Sequence, residues 1–157
     1  MKKIYKILSL VLLSTLFTAS LAQAKSADPA EGLWLTENKR SVIELKQCEQ
    51  GLCGYIYWII DGGMLYDTKN PDKAKRDEPM CGLPILWGFT NDGRGDWEDG
   101  KIYKADDGDM YDAEVELNQD GTLHVRGYMG IALLGKSQTW TRVPPEDYPM
   151  CTIPRVK

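Results

Sequence analysis

Histidine is almost missing from this chain of 157 residues, and His124 is its one representative. A Ser/His/Asp triad would have to use that residue, and no serine stands in the sharp-turn context of a nucleophile. Local patterning places His124 opposite Glu116 on a polar face, which favours a cross-strand surface pair over a general base. No catalytic residue is therefore predicted. A carboxylate-based hydrolase stays as an enzymatic alternative, with Asp61, Asp67 and Asp72 as the nearest acidic cluster.

The chain also lacks an excess of positive charge, with 19 Lys and Arg against 23 Asp and Glu. This balance argues against nucleic acid and anionic membrane surfaces as partners. The long apolar run at 7–17 is too short to span a bilayer comfortably, follows three lysines and precedes Ala22-Gln23-Ala24, a small-x-small cleavage pattern. We predict an export signal over 1–24 and one domain over 25–157, with no integral membrane segment, in the periplasm or outside the cell. An N-terminal membrane anchor is the alternative.

Only four cysteines are present, and all of them lie in the exported part: Cys48, Cys53, Cys81 and Cys151. An even number in an oxidising compartment predicts two disulfides, for which three pairings are possible. A hairpin would set Cys48 directly opposite Cys53, and that pairing leaves Cys81 to Cys151. A four-thiolate zinc site is the alternative, but the spacings are not the short paired ones of zinc modules.

The clearest local pattern runs over 110–129, where apolar and polar residues alternate on both sides of Gln119-Asp120-Gly121. Period-two alternation predicts two strands, and the three residues between them fit a hairpin loop with Gly121 in the left-handed conformation. This register puts apolar pairs on one face and charged or polar pairs on the other: Leu117 with Leu123, Val115 with Val125, Glu114 with Arg126, and Glu116 with His124.

Six further strands are predicted over 32–35, 41–47, 53–60, 83–89, 101–105 and 138–143. If Cys48 faces Cys53, then Leu45 lies opposite Ile56 and Ile43 opposite Trp58. The turn length at 106–109 is ambiguous, and it decides whether Ile102 or Tyr103 faces inward. Residues 61–80 form a long charged connection with one helical turn near 72–76, and 90–100 forms a loop. Acidic turns at 91–96 and 106–109 lack the full calcium pattern, so no metal is predicted.

Gly32-Leu33-Trp34 begins the first predicted strand, and Thr139-Trp140-Thr141-Arg142 belongs to the last. These strands are neighbours in a closed barrel, where an Arg142 guanidinium stacked on the Trp34 indole would seal one end. The role is structural rather than catalytic. The arrangement resembles the lipocalins, which carry Gly-x-Trp on the first strand and Arg on the last.

Further stretches resemble a second family: Cys48…Cys53-Gly54, Asn70-Pro71, Gly82-Leu83, Trp97…Gly100-Lys101-Ile102-Tyr103, Asp107-Gly108…Tyr111 and Gly127-Tyr128…Leu134-Gly135…Gln138-Thr139-Trp140-Thr141-Arg142. They are similar to an uncharacterised family of exported bacterial proteins, the domain of unknown function family numbered 2147. The resemblance implies an all-β, antiparallel, eight-stranded lipocalin-like barrel in the cell envelope. It implies no known reaction or ligand.

The leading functional hypothesis is an envelope protein that binds or carries a small apolar or amphipathic ligand inside the barrel, without a cofactor. Large amphipathic rings would suit such a pocket, and the candidates for an inward or rim position are Trp58, Trp87, Tyr103, Tyr111 and Trp140. A solid core is the alternative for each ring. The alternative function is a protein-interaction module, such as an inhibitor or envelope-assembly factor. It would use the 61–80 connection and apolar side chains exposed at 131–134.

Overall fold

Eight antiparallel strands close into one barrel in the simple order β1 to β8, and β8 pairs with β1. The computed structural model describes residues 28–91 and 95–153, so the predicted export signal at 1–24 lies outside the described residues. The strands are β1 (Gly32–Leu35), β2 (Ser41–Cys48), β3 (Gly51–Ile59), β4 (Pro84–Asn91), β5 (Asp96–Lys104), β6 (Asp109–Leu117), β7 (Leu123–Tyr128) and β8 (Lys136–Arg142). Short 3-10 turns span Lys73–Lys75 and Ala132–Leu134. The predicted eight-stranded barrel is confirmed.

The β6–β7 hairpin has the register that its alternation predicts. Val115 lies opposite Val125, and Glu114 lies opposite Arg126. The Asn118 amide donates to the Thr122 carbonyl at 2.9 Å, and Gly121 has φ 81°, the left-handed value that the loop needs. Apolar pairing, charge pairing and turn chemistry agree here, so the local sequence is sufficient to fix the strand register.

The predicted register of the β2–β3 hairpin is wrong by two residues. Cys48 lies opposite Gly51 rather than Cys53, and Ile43 lies opposite Ile56 rather than Trp58. Gly51 allows this tighter turn because it has φ 95°, and a Cβ there would lie 1.9 Å from the Phe89 carbonyl oxygen. Side chains alternate with period two, so a shift of two residues leaves the same side chains on the inner face. The inward-facing residues Leu45 and Ile56 are therefore predicted correctly.

The predicted loop over 90–100 is also wrong, because β4 continues to Asn91 and β5 already begins at Asp96. Trp97 lies opposite Val115 in the barrel wall, with a register shift before Gly100. A Cβ on Gly100 would lie 2.3 Å from the Phe89 ring, so this glycine makes room for an aromatic side chain inside the barrel. The register shift before Gly100 breaks the alternation along β5, so the strand leaves no clear period in the sequence.

The two ends of the barrel differ. We call the end where β1 begins and β8 finishes the closed end, and the opposite end the open end. Large buried side chains fill the interior toward the closed end: Trp34, Phe89, Trp97, Leu123 and Trp140. The open end carries the long connection and the segments at 36–40, 105–108 and 129–135.

Two disulfides bind the loops and tail to the barrel, and both have the predicted partners. Cys48–Cys53 closes the β2–β3 turn, and Cys81–Cys151 fixes the C-terminal tail beside the connection. The Cys151 amide also donates to the Tyr57 carbonyl at 2.8 Å. The tail therefore runs from the closed end, where β8 finishes, back to the end of β3 at the open end.

Candidate ligand site at the open end of the barrel

The closed end is sealed by the contact that the sequence predicts. The Arg142 guanidinium carbon lies 4.2 Å from the centre of the Trp34 ring. Arg142 also donates to the Glu31 carbonyl at 2.7 Å and to the Pro29 carbonyl, while the Trp34 indole donates to the Ala30 carbonyl at 2.9 Å. Burial lowers the pKa of Arg142, which still stays charged because a free guanidinium starts so high.

The inner face becomes accessible toward the open end. Ile102 lies opposite Tyr111, and a Cβ placed on Gly127 would contact both of them, so all three share the inner face. Ile102 and Tyr111 are half-buried, whereas Leu123, farther down the same barrel, has 0% exposure. The interior is thus packed toward the closed end and partly accessible to solvent toward the open end.

A polar group lies at the boundary between these two regions. Gln138 is opposite the inner-facing Val125, yet its side chain is exposed. Its Oε1 accepts a hydrogen bond from the buried Trp140 indole nitrogen at 2.9 Å. The Gln138 amide nitrogen donates to no residue that the structure describes, so it is available to a molecule in the barrel mouth.

The five predicted ligand-site aromatics do not form one cluster. Tyr111 and Trp140 are on the inner face. Trp58 is opposite Val42 on the outer side, next to a bulge between Val42 and Ile43, and its ring meets Tyr148 edge-on at 5.0 Å. Trp87 is opposite Lys101, which pairs with Asp112 on the outer face. Tyr103 is hydrogen-bonded to Asp67. The sequence left open whether Ile102 or Tyr103 faces inward, and the structure shows that it is Ile102.

The Asp67–Tyr103 contact was not predicted. Asp67 has 0% exposure, and the Tyr103 hydroxyl lies 2.8 and 2.9 Å from its two carboxylate oxygens. Burial raises the pKa of Tyr103, and the hydrogen bond to Asp67 and the charge of Asp67 add to the rise. The two residues are 36 positions apart in the chain, so no local pattern predicts that they meet. The nearby Asn70-Pro71 indicates a turn but not its partner.

The remaining titratable candidates have separate positions. Asp61 is exposed, and Asp72 caps the Lys73–Lys75 turn by accepting from the Ala74 amide at 3.0 Å. His124 lies opposite Glu116, as predicted. Over residues 28–91 and 95–153, no group of three or more His, Cys, Asp or Glu is arranged to hold a metal ion. The same residues include no helix long and apolar enough to cross a membrane.

Two cavities lie at the open end. One of about 220 Å³ is between the turn at 59–63 and the Cys81–Cys151 disulfide. The other, of about 80 Å³, is lined by Met64 and Met80 of the connection together with Arg40, Ile56 and Asp106. Both are smaller than the roughly 300–1,000 Å³ typical of ligand sites. With the connection in this position, neither cavity reaches the volume of a typical ligand site.

Exposed apolar side chains gather at this same end. Every large hydrophobic side chain that is exposed in the described chain lies there: Ile60, Leu65, Met110, Met129, Ile131, Leu133, Leu134, Met150 and Ile153. We call Met129, Ile131, Leu133 and Leu134 the apolar rim. Arg126 supports it from below by donating through Nε to the Ala132 carbonyl at 2.9 Å. The rim is therefore a fixed apolar surface, of the kind that marks binding sites.

Comparison with known proteins agrees with this geometry. A solved structure from the human pathogen Helicobacter pylori, HP1028, described as belonging to the lipocalin family, is similar with a TM-score of 0.67 and 25% sequence identity. The match covers 74% of this chain and 84% of that one. No curated protein matches. The profile of a family described as an uncharacterised protein conserved in bacteria (DUF2147) matches residues 32–142. The chain belongs to this bacterial family, and its fold is a lipocalin-like barrel.

Proposed function

We propose that the protein binds a small apolar or amphipathic molecule at the open end of its barrel, after export to the periplasm or beyond. The observation that carries the proposal is the asymmetry of the barrel. One end is sealed by Arg142 and Trp34, and the other combines an accessible inner face with every exposed large apolar side chain of the described residues. The two disulfides support an oxidising compartment.

The site that we propose is smaller than the aromatic set predicted from sequence. Ile102 and Tyr111 supply apolar contact on the inner face, and Gln138 supplies an amide at the boundary with the packed core. Such a site has one polar handle in an otherwise apolar wall, which suits a ligand with an apolar body and one hydrogen-bonding group. The outer positions of Trp58 and Trp87 remove both from the proposed site.

The first test is native mass spectrometry of protein purified without detergent from the envelope fraction of its own host. A discrete extra mass that disappears on solvent extraction would support the proposal and reveal the ligand class. The extracted protein is then titrated with 1-anilinonaphthalene-8-sulfonate, a fluorescent apolar probe. Tyr111→Ala should weaken binding by about tenfold, since interface aromatics commonly contribute more than 1 kcal/mol.

Trp87→Ala is the matched control, because it removes an aromatic side chain from the outer face of the same barrel. It should leave the dissociation constant of the probe unchanged. Equal weakening by both substitutions would contradict a site on the inner face. A bare protein mass together with no saturable probe binding would contradict the proposal as a whole.

The apolar rim favours a second candidate function, a protein-interaction module of the envelope. Leu133 and Leu134 are 85% and 75% exposed, although the segment that carries them is held in place by Arg126. A double substitution, Leu133→Ser with Leu134→Ser, should abolish capture of a protein partner and leave probe binding intact. Met110→Ser is the control, since Met110 is exposed at the same end but lies outside the rim. Unchanged capture by the double variant would remove this function.

A further inference from the structure

The long connection is fastened to the barrel by a buried polar contact. Asp67 lies in the connection, and both of its carboxylate oxygens are within hydrogen-bond distance of the Tyr103 hydroxyl on β5. The Asn70 amide donates to Oδ2 at 2.7 Å. No Lys, Arg or His among the described residues forms an ion pair with Asp67. A buried carboxylate that is held by neutral donors is costly unless each of those hydrogen bonds is kept.

The connection is otherwise closed on itself. Tyr66 and Pro79 form an isolated bridge, and the Met80 amide donates to the Leu65 carbonyl at 2.9 Å. Across 28–91 and 95–153, the contact with Tyr103 is the one side-chain hydrogen bond that residues 61–80 make to a strand. The connection is otherwise attached by apolar packing, with Met80 in the hydrophobic core and Met64 packed against it. The Asp67–Tyr103 hydrogen bond therefore fixes one position of the connection on the barrel, which apolar packing alone does not do.

The connection also covers one side of the open end. Met64 and Met80 share a cavity with Ser41, at the start of β2, and with Asp106, which follows β5. In the ring, β2 and β5 flank β3 and β4, the two strands that the connection joins, so the connection covers the β2–β5 side of the mouth. At its far side the connection packs so tightly that a Cβ on Gly108 would lie 2.1 Å from the Lys69 carbonyl oxygen.

We propose that the Asp67–Tyr103 contact is a latch that holds the 61–80 connection against the β2–β5 side of the barrel mouth and sets how often that side opens. The importance of the latch for ligand entry rests on the proposed function. The latch itself is a property of the free protein and is measured without any ligand. When the hydroxyl is lost, the buried carboxylate loses a donor that both oxygens use, and opening the connection to water then relieves that loss.

Hydrogen–deuterium exchange followed by mass spectrometry tests the latch on the full exported chain with both disulfides intact. Tyr103→Phe keeps the buried ring and removes only the hydroxyl. Exchange across 64–80 should become faster by about tenfold or more, while the β6–β7 hairpin keeps its protection. Tyr111→Phe is the matched control, because it also removes a tyrosine hydroxyl. That hydroxyl lies 3.5 Å from Oδ2 of Asp109, and the contact is exposed to solvent. This substitution should leave exchange across 64–80 unchanged.

Asp67→Asn is the second variant, since it keeps the size of the side chain and one acceptor oxygen. It should give a smaller acceleration in the same peptides. Unchanged exchange across 64–80 in both variants would overturn the latch. Equal acceleration throughout the barrel would overturn it too, because the contact would then be an ordinary part of the core. If the connection opens as expected but the probe never binds, the latch stands and the proposed ligand function fails.

Discussion

Arg142 gives the sharpest test of how the barrel is closed. Arg142→Ala removes the cation–π contact with Trp34, worth about 0.5–2 kcal/mol, and the two hydrogen bonds to the Pro29 and Glu31 carbonyls. A hydrogen bond to a charged group contributes about 1.5–3 kcal/mol in general, but water replaces part of it at these exposed positions. We expect the free energy of unfolding to fall by about 2–3 kcal/mol.

Arg142→Lys separates charge from shape. Lysine keeps the positive charge but loses the flat guanidinium that stacks on the indole and reaches two carbonyls together. The loss should be about 1 kcal/mol, less than half that of the alanine variant. Arg40→Ala is the control, because Arg40 is exposed at the other end of the barrel and a surface substitution usually changes stability by less than about 0.5 kcal/mol.

The assay is urea unfolding with both disulfides intact, followed by tryptophan fluorescence and circular dichroism. Coincident transitions would justify a two-state free energy for each variant. If Arg142→Ala costs no more than Arg40→Ala, the closure argument is refuted. If lysine costs as much as alanine, the stacking geometry accounts for the whole effect and the charge for none of it.

Three further outcomes are expected. Cys81→Ser with Cys151→Ser should lower stability by about 4 kcal/mol on the chain-entropy estimate for cysteines 70 residues apart, and an unchanged urea midpoint would contradict this. Burial raises the pKa of Tyr103 in the folded state, so its contribution is complete below about pH 10, the unfolded value, and is lost as pH rises above it. Stability should then fall less steeply above pH 10 in Tyr103→Phe than in the parent; parallel slopes would refute the assignment. Glu37 accepts a hydrogen bond from the Thr139 amide at 2.8 Å at the exposed upper edge of β8, so Glu37→Ala should promote aggregation in light scattering. Equal scattering before and after that substitution would show that the edge needs no such protection.

The fold was predictable wherever several local signals agreed. The β6–β7 register followed from alternation, cross-strand charge and one glycine turn, and the position of Arg142 over Trp34 followed from barrel closure. Both disulfide partners were obtained although the reasoning for Cys48 and Cys53 used the wrong register. A two-residue shift still leaves those side chains within bonding reach, with 5.9 Å between the Cα atoms.

The site was less predictable, because β-bulges reset which residues face inward. The bulge between Val42 and Ile43 puts Trp58 on the outer surface, although simple alternation from the hairpin directs it inside. Such an insertion depends on contacts with a neighbouring strand and leaves no period in the sequence. The latch is equally hidden from the sequence, since Asp67 and Tyr103 meet only after the connection has packed against the barrel.

The seam between β1 and β8 also determines the order in which the barrel can assemble. Only two residue pairs join these strands, and the hydrogen bonds from Arg142 to Glu31 and Pro29 connect positions 111 and 113 residues apart. Closing so large a loop has the greatest entropic cost of any contact in the barrel wall, so this contact should form last and only after the meander is in place. A chain that emerges from its N-terminus would hold β1 without its second neighbour until residue 142 is free. The folding intermediate with an unpaired sheet edge is thus an almost complete, unclosed sheet.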